Sequence, residues 1–243
     1  MNTALITGAS RGIGLGIARM LAEQGYGLTI TARGQERLDA VTAELRDLGA
    51  DDVVTVAADL ADEDAPAAIA AAHAARFDRL DALILNAGVG SAGNIAEFPM
   101  KRYDKTFAVD VRAPFMLLQQ CLPLLRTTAA DSPRGARVIA LGSITGVYAE
   151  PGLAAYGAAK AAMNSLIETL NVEESGAGIS GTAIAPAFVD TDMSAWTRES
   201  VPQESMVGVQ DIVEIAAMAL RLSRQAVIPK IVVGRAGTDG YRA

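Results

Sequence analysis

Residues 4–14 read Ala4-Leu5-Ile6-Thr7-Gly8-Ala9-Ser10-Arg11-Gly12-Ile13-Gly14. A short apolar run meets a glycine-rich turn and then an amphipathic stretch, Ile13 to Gln24. A strand that turns sharply into a helix opens a βαβ unit. Glycine at 8, 12 and 14 lets the backbone approach a pyrophosphate, and the helix N-terminus behind it offers unpaired N–H groups and a positive dipole end. The spacing is not Gly-x-Gly-x-x-Gly, so taken alone the turn also suits a plain tight connection.

Outward from this turn the same alternation repeats. Ala4 to Thr7, Gly27 to Ala32, Val53 to Ala57, Ala82 to Leu85, Arg137 to Leu141, Gly181 to Ile184 and Lys230 to Val233 read as strands. Ile13 to Gln24, Gln35 to Leu48, Asp62 to Arg76, Lys101 to Leu125, Ala155 to Glu174 and Gln210 to Leu222 read as helices. Strands alternating with helices predict parallel pairing, and strand runs that are apolar throughout predict helices on both faces. The expectation is a doubly wound Rossmann fold of the α/β class, one domain over 1–243 with about seven parallel strands and its ligand at their carboxyl ends. Ala185 to Gly208 has no clear period and carries Phe188, Met193 and Trp196. A loop of that length is usually functional, so a substrate lid is expected over 187–209.

Composition narrows the function. Of 243 residues 51% are hydrophobic and 20% charged, enough to bury a large core. The net charge of −7 repels phosphate backbones and anionic lipid, which disfavours nucleic acid or a membrane as the main partner. Cys121 is the only cysteine and His73 the only histidine. That excludes an internal disulfide, fits a reducing cytoplasmic setting and makes a zinc site improbable, so no metal is expected. No signal peptide and no apolar run of the ~18 residues that a membrane span needs are read from the chain. His73, in an Ala-rich helix, reads as a surface or half-buried structural residue, and Cys121 as a packing residue.

Tyr156-Gly157-Ala158-Ala159-Lys160 places a phenol and an ammonium on one helix face, one turn apart. Their ordinary pKa values are ~10 and ~10.4. An adjacent ammonium favours phenolate, so Tyr156 is expected to be pulled towards physiological pH, as a group that exchanges a proton with an alcohol or a carbonyl. Ser143 precedes Tyr156 by thirteen residues. A Tyr-x-x-x-Lys pair or an Asn-Ala-Gly turn means little singly; their joint occurrence, in order and at strand ends, is specific.

Together these features resemble the short-chain dehydrogenase/reductase family over essentially the whole chain. The resemblance implies an oxidoreductase that moves a hydride between a nicotinamide and a ketone, an aldehyde or a secondary alcohol. Tyr156 would be the general acid/base and Ser143 would hydrogen-bond the carbonyl. Lys160 would lower the tyrosine pKa and bind the nicotinamide ribose. Gly8, Ser10, Arg11, Gly12, Ile13 and Gly14 would receive the cofactor. Asn86, Ala87 and Gly88 would support its adenosine side, and Asp59, with Leu60 beside it, its adenine. Pro186, Val189 and Thr191 would hold the carboxamide.

Arg33 follows the second strand in Thr31-Ala32-Arg33, where no acid awaits a ribose hydroxyl. A guanidinium there and at Arg11 suits a 2′-phosphate, so NADP(H) is the expected cofactor. The chain departs from the family pattern twice. Asp110 stands where asparagine is usual, in a position tied to the lysine's proton relay. If its side chain matters, a carboxylate beside Lys160 would raise the lysine and partly cancel its effect on Tyr156. Ala187 stands where glycine commonly follows the proline and adds a methyl near the nicotinamide. The rival reading is a non-catalytic dinucleotide-binding sensor. Val147, Tyr148, Leu153, Phe188, Met193 and Trp196 suggest a small, apolar substrate. Relatives suggest a homo-tetramer, and the dissimilar ending Gly234 to Gly240 leaves a homodimer equally open.

Overall fold

Strand runs without polar alternation require cover on both faces, and here they receive it. The chain, described over residues 1–243 in a computed structural model, has fourteen main elements. These are β1 (Thr3–Thr7), α1 (Gly12–Glu23), β2 (Gly27–Ala32), α2 (Gln35–Asp47), β3 (Val53–Ala57), α3 (Ala65–Arg76), β4 (Ala82–Leu85), α4 (Met100–Phe107), α5 (Ala113–Asp131), β5 (Ala136–Leu141), α6 (Ala154–Glu174), β6 (Ile179–Pro186), α7 (Val209–Arg221) and β7 (Lys230–Val233). The strands form one sheet in the order β3-β2-β1-β4-β5-β6-β7, every pair parallel. This is the doubly wound α/β arrangement expected from the alternation.

Period-two alternation sorts the core into two layers. Ala4 and Ile6 of β1 and Ile139 of β5 pack with Ile17 and Leu21 of α1, Leu38 of α2 and Val213 of α7. Leu5 and Val138 face the other way, onto Ile69 of α3, Leu117 of α5 and Ile167 of α6. Each fully buried Leu or Ile contributes roughly 1.5–3 kcal/mol over leaving it exposed. Strand order reverses between β1 and β4, so the crevice at their carboxyl ends is the natural ligand position.

Three local expectations are corrected. The helix expected from Asp62 starts at Ala65, because Asp59 Oδ1 accepts from the Ala61 N–H and Asp62 Oδ1 from the Asp64 N–H; these side-chain turns delay the helix. The helix expected over Lys101 to Leu125 is two helices joined by a π-turn, Ala108–Arg112. Pro114, in the first turn of α5, has no N–H to give the Asp110 carbonyl four residues back, which accounts for the break. His73 is 1% exposed. Its Nδ1 pairs with Thr29 Oγ1 at 2.8 Å and its Nε2 with the Arg79 carbonyl at 2.9 Å, tying α3 to β2 beneath the sheet.

Candidate active site

The glycine-rich turn is shaped by Asn86. Gly8 and Gly12 take φ of +68° and +55°, the left-handed region that glycine enters without penalty. A Cβ on Gly8 would lie 2.8 Å from Asn86 Nδ2, and one on Gly14 would collide with that nitrogen and with the Gly8 carbonyl. Asn86 Nδ2 donates to the Thr7 and Gly8 carbonyls at 2.9 and 3.1 Å. Thr7 Oγ1 accepts from the Asn86 and Ala87 N–H groups, both at 3.0 Å. The end of β4 therefore clamps the end of β1. Gly14 is buried under this clamp, behind the residues that line the cleft. No side chain caps the first turn of α1, while Gly8, Ser10, Gly12 and Ile13 line the cleft. Free N–H groups and a glycine surface fit the phosphates of a dinucleotide.

The second wall carries the acid–base groups. Ser143 leaves β5 and enters a short turn, Ile144–Gly146, which is pressed onto α6. A Cβ on Gly146 would come 2.6 Å from the Lys160 carbonyl carbon, and one on Gly157 2.8 Å from the Thr145 carbonyl oxygen. This contact brings Ser143, Tyr156 and Lys160 to one side of the cleft, which all three line. Lys160 Nζ lies 5.5 Å from the centre of the Tyr156 ring and donates to the Leu141 carbonyl at 3.0 Å. Asp110 does not line the cleft. The π-turn buries it completely below Lys160, with Oδ2 3.4 Å from Nζ and Oδ1 accepting from the Val89 N–H at 2.8 Å.

These contacts decide the titration behaviour. Burial raises Tyr156 above its ordinary value; Lys160 pulls it down, Asp110 pushes it up and Ser143 pulls it down, with the net upward. The expected lowering of Tyr156 is thus corrected: desolvation of the phenolate and the Asp110 carboxylate outweigh the ammonium. Burial works to lower Lys160, but Asp110 and Tyr156 carry it above its ordinary value. The conditional expectation for Asp110, that its side chain would face the lysine and raise it, matches this geometry.

The walls enclose a cleft of about 710 Å³, the size of a small-molecule site. Arg33, Asp59, Leu60, Asn86, Ala87 and Gly88 line it, as do Pro186, Val189 and Thr191. Arg11 also reaches it, but its guanidinium is paired with Asp192 of the 187–209 segment at 2.8 Å. Phe188 and Trp196 of that segment meet edge to face, with centroids 6.1 Å apart. The Ala187 methyl is buried against Ile144 and Ala243.

The sequence reading missed Arg37, Thr145 and Ala243, all of which line the cleft. Arg37 lies in the first turn of α2, just past Arg33 and the Gly34 cap, and was legible from that position. The return of the C-terminal segment to the cleft had no local signal. Burial pushes the Cys121 thiol up to about 12, so it packs and does not react. No group of three or more His, Cys, Asp or Glu side chains is arranged to hold a metal, and no helix is long and apolar enough to cross a membrane.

A family model described as short chain dehydrogenase matches residues 2–202. The chain is 31% identical over 209 residues to 3-oxoacyl-(acyl-carrier-protein) reductase FabG of Staphylococcus aureus, covering 85% of this chain and 82% of that protein. Among solved structures, the Pseudomonas aeruginosa RhlG/NADP active-site complex aligns with a TM-score of 0.86 at 30% identity, over 96% of this chain and 93% of that one. The 3-oxoacyl-(acyl-carrier-protein) reductase from Brucella melitensis in complex with NAD aligns at 0.82 and 28% identity, over 95% and 94%.

Proposed function

The chain belongs to the short-chain dehydrogenase family and is a nicotinamide-dependent oxidoreductase of carbonyl and alcohol groups; on that premise we propose that it reduces a ketone or an aldehyde with NADPH, using Tyr156 as proton donor. The observation that carries the proposal is the convergence of Ser143, Tyr156 and Lys160 on one wall of a cleft whose opposite end is the glycine-rich turn. Gly8, Ser10, Gly12 and Ile13 hold the phosphates of the dinucleotide. Lys160 holds the nicotinamide ribose, and Pro186, Val189 and Thr191 the carboxamide. Asp59, Leu60, Asn86, Ala87 and Gly88 form the adenosine wall.

The chemistry that a bound nicotinamide supplies is a hydride for the carbonyl carbon. Everything else is done by the chain. Ser143 donates a hydrogen bond to the substrate oxygen and orients it. Tyr156 delivers its phenolic proton to that oxygen as the alcohol forms. A phenol raised above its ordinary value stays protonated through neutral pH, which suits the reductive direction. Lys160 stabilises the phenolate left behind, and Asp110 keeps Lys160 charged at that depth. The 187–209 segment covers the substrate, with Phe188, Met193 and Trp196 offering apolar contact.

Arg33 and Arg37, both exposed and both lining the β2 end of the cleft, support the preference for NADPH. Arg11 is engaged with Asp192 and is the weaker candidate for the 2′-phosphate. The likeness to 3-oxoacyl reductases supports a 3-oxo ester or thioester as a first substrate to try. The test is turnover of acetoacetyl-CoA, ethyl acetoacetate and cyclohexanone, followed by NADPH absorbance. Tyr156→Phe should lose ~10²–10⁴-fold in rate, the usual cost of a missing general acid, with NADPH affinity retained. A Tyr156→Phe enzyme that still turned over at the wild-type rate would remove the phenol from the mechanism.

A further inference from the structure

We infer that Asp192 is a positioning residue: with Arg11 it forms a latch that fastens the 187–209 segment across the mouth of the cleft and slows release of the nicotinamide cofactor. The inference rests on the proposed placement of that cofactor beneath the segment. The base of the segment is held without the latch. The Ala187 N–H donates to the Val233 carbonyl at 2.8 Å, the Val207 N–H to the Phe188 carbonyl at 2.9 Å and the Asp190 N–H to the Val207 carbonyl at 3.0 Å. The Asp190 carboxylate accepts from Arg198 and Gln203 at 3.2 and 2.8 Å, both inside the segment. Across the cleft there is a single hydrogen bond. Arg11 Nη1 donates to Asp192 Oδ2 at 2.8 Å, and no other hydrogen bond joins 187–209 to residues 1–186.

The residues on either side of Asp192 show how close the segment comes. A Cβ on Gly12 would lie 3.4 Å from Thr191 Cγ2, and one on Gly90 3.6 Å from Met193 Cγ. The tip thus meets the glycine-rich turn and the loop after β4, and Arg11 and Asp192 both line the cleft between them. Neither side chain has a second partner, and both are more than half exposed. An exposed ion pair contributes little to stability, which suits a fastener that opens whenever the cofactor enters or leaves. Charge alone acts in the opposite direction. A carboxylate near the phosphates of a dinucleotide repels them, so removing it would slow release, whereas removing a latch speeds release.

The experiment is a double-mutant cycle on the full chain with two readouts. Hydrogen exchange of the protein without cofactor follows the amides of 187–209. Stopped flow follows release of NADPH or NADH, whichever binds more tightly, through energy transfer from Trp196, the only tryptophan. Asp192→Asn keeps the shape of the side chain and removes its charge. It should speed exchange within 187–209 and nowhere else, and raise the dissociation rate about two- to fivefold, the range of an exposed ion pair. Asp192→Glu, which keeps the charge, should recover most of the wild-type behaviour. In an Arg11→Gln background, Asp192→Asn should change neither readout, because the latch is already gone; any direct contact of Arg11 with the cofactor cancels in this comparison.

Three results would overturn the inference while leaving the proposed reaction intact. One is release from Asp192→Asn that is unchanged or slower, the latter being the mark of simple repulsion. Another is an equal acceleration in both backgrounds, which would mean that Asp192 acts on the segment without Arg11. The third is exchange in 187–209 that Asp192→Asn leaves as it is. A wild-type protein that bound neither dinucleotide would overturn the proposed reaction, and this inference with it.

Discussion

Lys160 keeps an ammonium 4% exposed, at a depth where a lone charge does not persist. Its company explains it: the Leu141 carbonyl and the Asp110 carboxylate. Asp110 also raises Tyr156, so its charge reaches the proposed proton donor. Asp110→Asn keeps an acceptor for the Val89 N–H and leaves the ammonium of Lys160 unopposed. The prediction follows from the sign. Carbonyl reduction needs protonated Tyr156, so its rate falls as pH rises through the phenol's pKa. Removing the carboxylate lowers that pKa, so the alkaline fall should move to lower pH, and the alkaline rise of alcohol oxidation should move with it. A pH–rate profile of Asp110→Asn that overlays the wild type would show that the carboxylate does not govern the phenol.

At the scale of elements, the contact between the ends of β1 and β4 has no room to spare. Gly14→Ala forces a methyl into the Asn86 amide and the Gly8 carbonyl, an overpacking that costs about 1–3 kcal/mol. Thermal melting should record a Tm lower by ~2–12 °C for a chain of this size, with NADPH affinity reduced, because the turn is displaced. Next to β1 in the sheet, His73 joins α3 to β2 and to the Arg79 carbonyl. Burial lowers it below its ordinary value. The native state therefore resists the proton that the unfolded chain takes up below ~6.5, and stability is full above that pH and declines as pH falls towards the folded value. His73 is the only histidine, so the effect can be isolated. Urea midpoints for wild type should drop between pH 7.5 and 5.5, and His73→Gln should show a shallower drop over the same interval. Parallel slopes would mean that other groups control acid stability.

At the scale of the molecule, an acidic chain of net charge −7 presents Arg33 and Arg37 where its cleft leaves β2. A charge-assisted hydrogen bond contributes about 1.5–3 kcal/mol, so Arg33→Ala with Arg37→Ala should weaken NADPH about tenfold or more while barely changing NADH. Fluorescence titration of both cofactors checks it, and an equal loss for NADH would sink the assignment. The expectation of NADPH rests in the sequence on Arg33, which follows a strand that carries no acid. Arg37, in the first turn of α2, carries the same signal. The alternation of apolar runs and amphipathic stretches determined the seven strands, their parallel pairing and the helices on both faces, because those are short-range periodicities. The order of Gly8, Asn86, Ser143, Tyr156 and Lys160 pointed to the family and so to carbonyl and alcohol oxidoreduction, because each sits at a strand end or on a helix face that local pattern can locate. Tertiary structure alone decided that Asp110 sits under Lys160, that Arg11 pairs with Asp192, that His73 is buried and that Tyr156 is raised. Those outcomes depend on burial and on the approach of groups that are tens of residues apart in the chain, and charge and desolvation are set by the distances that only the folded chain fixes.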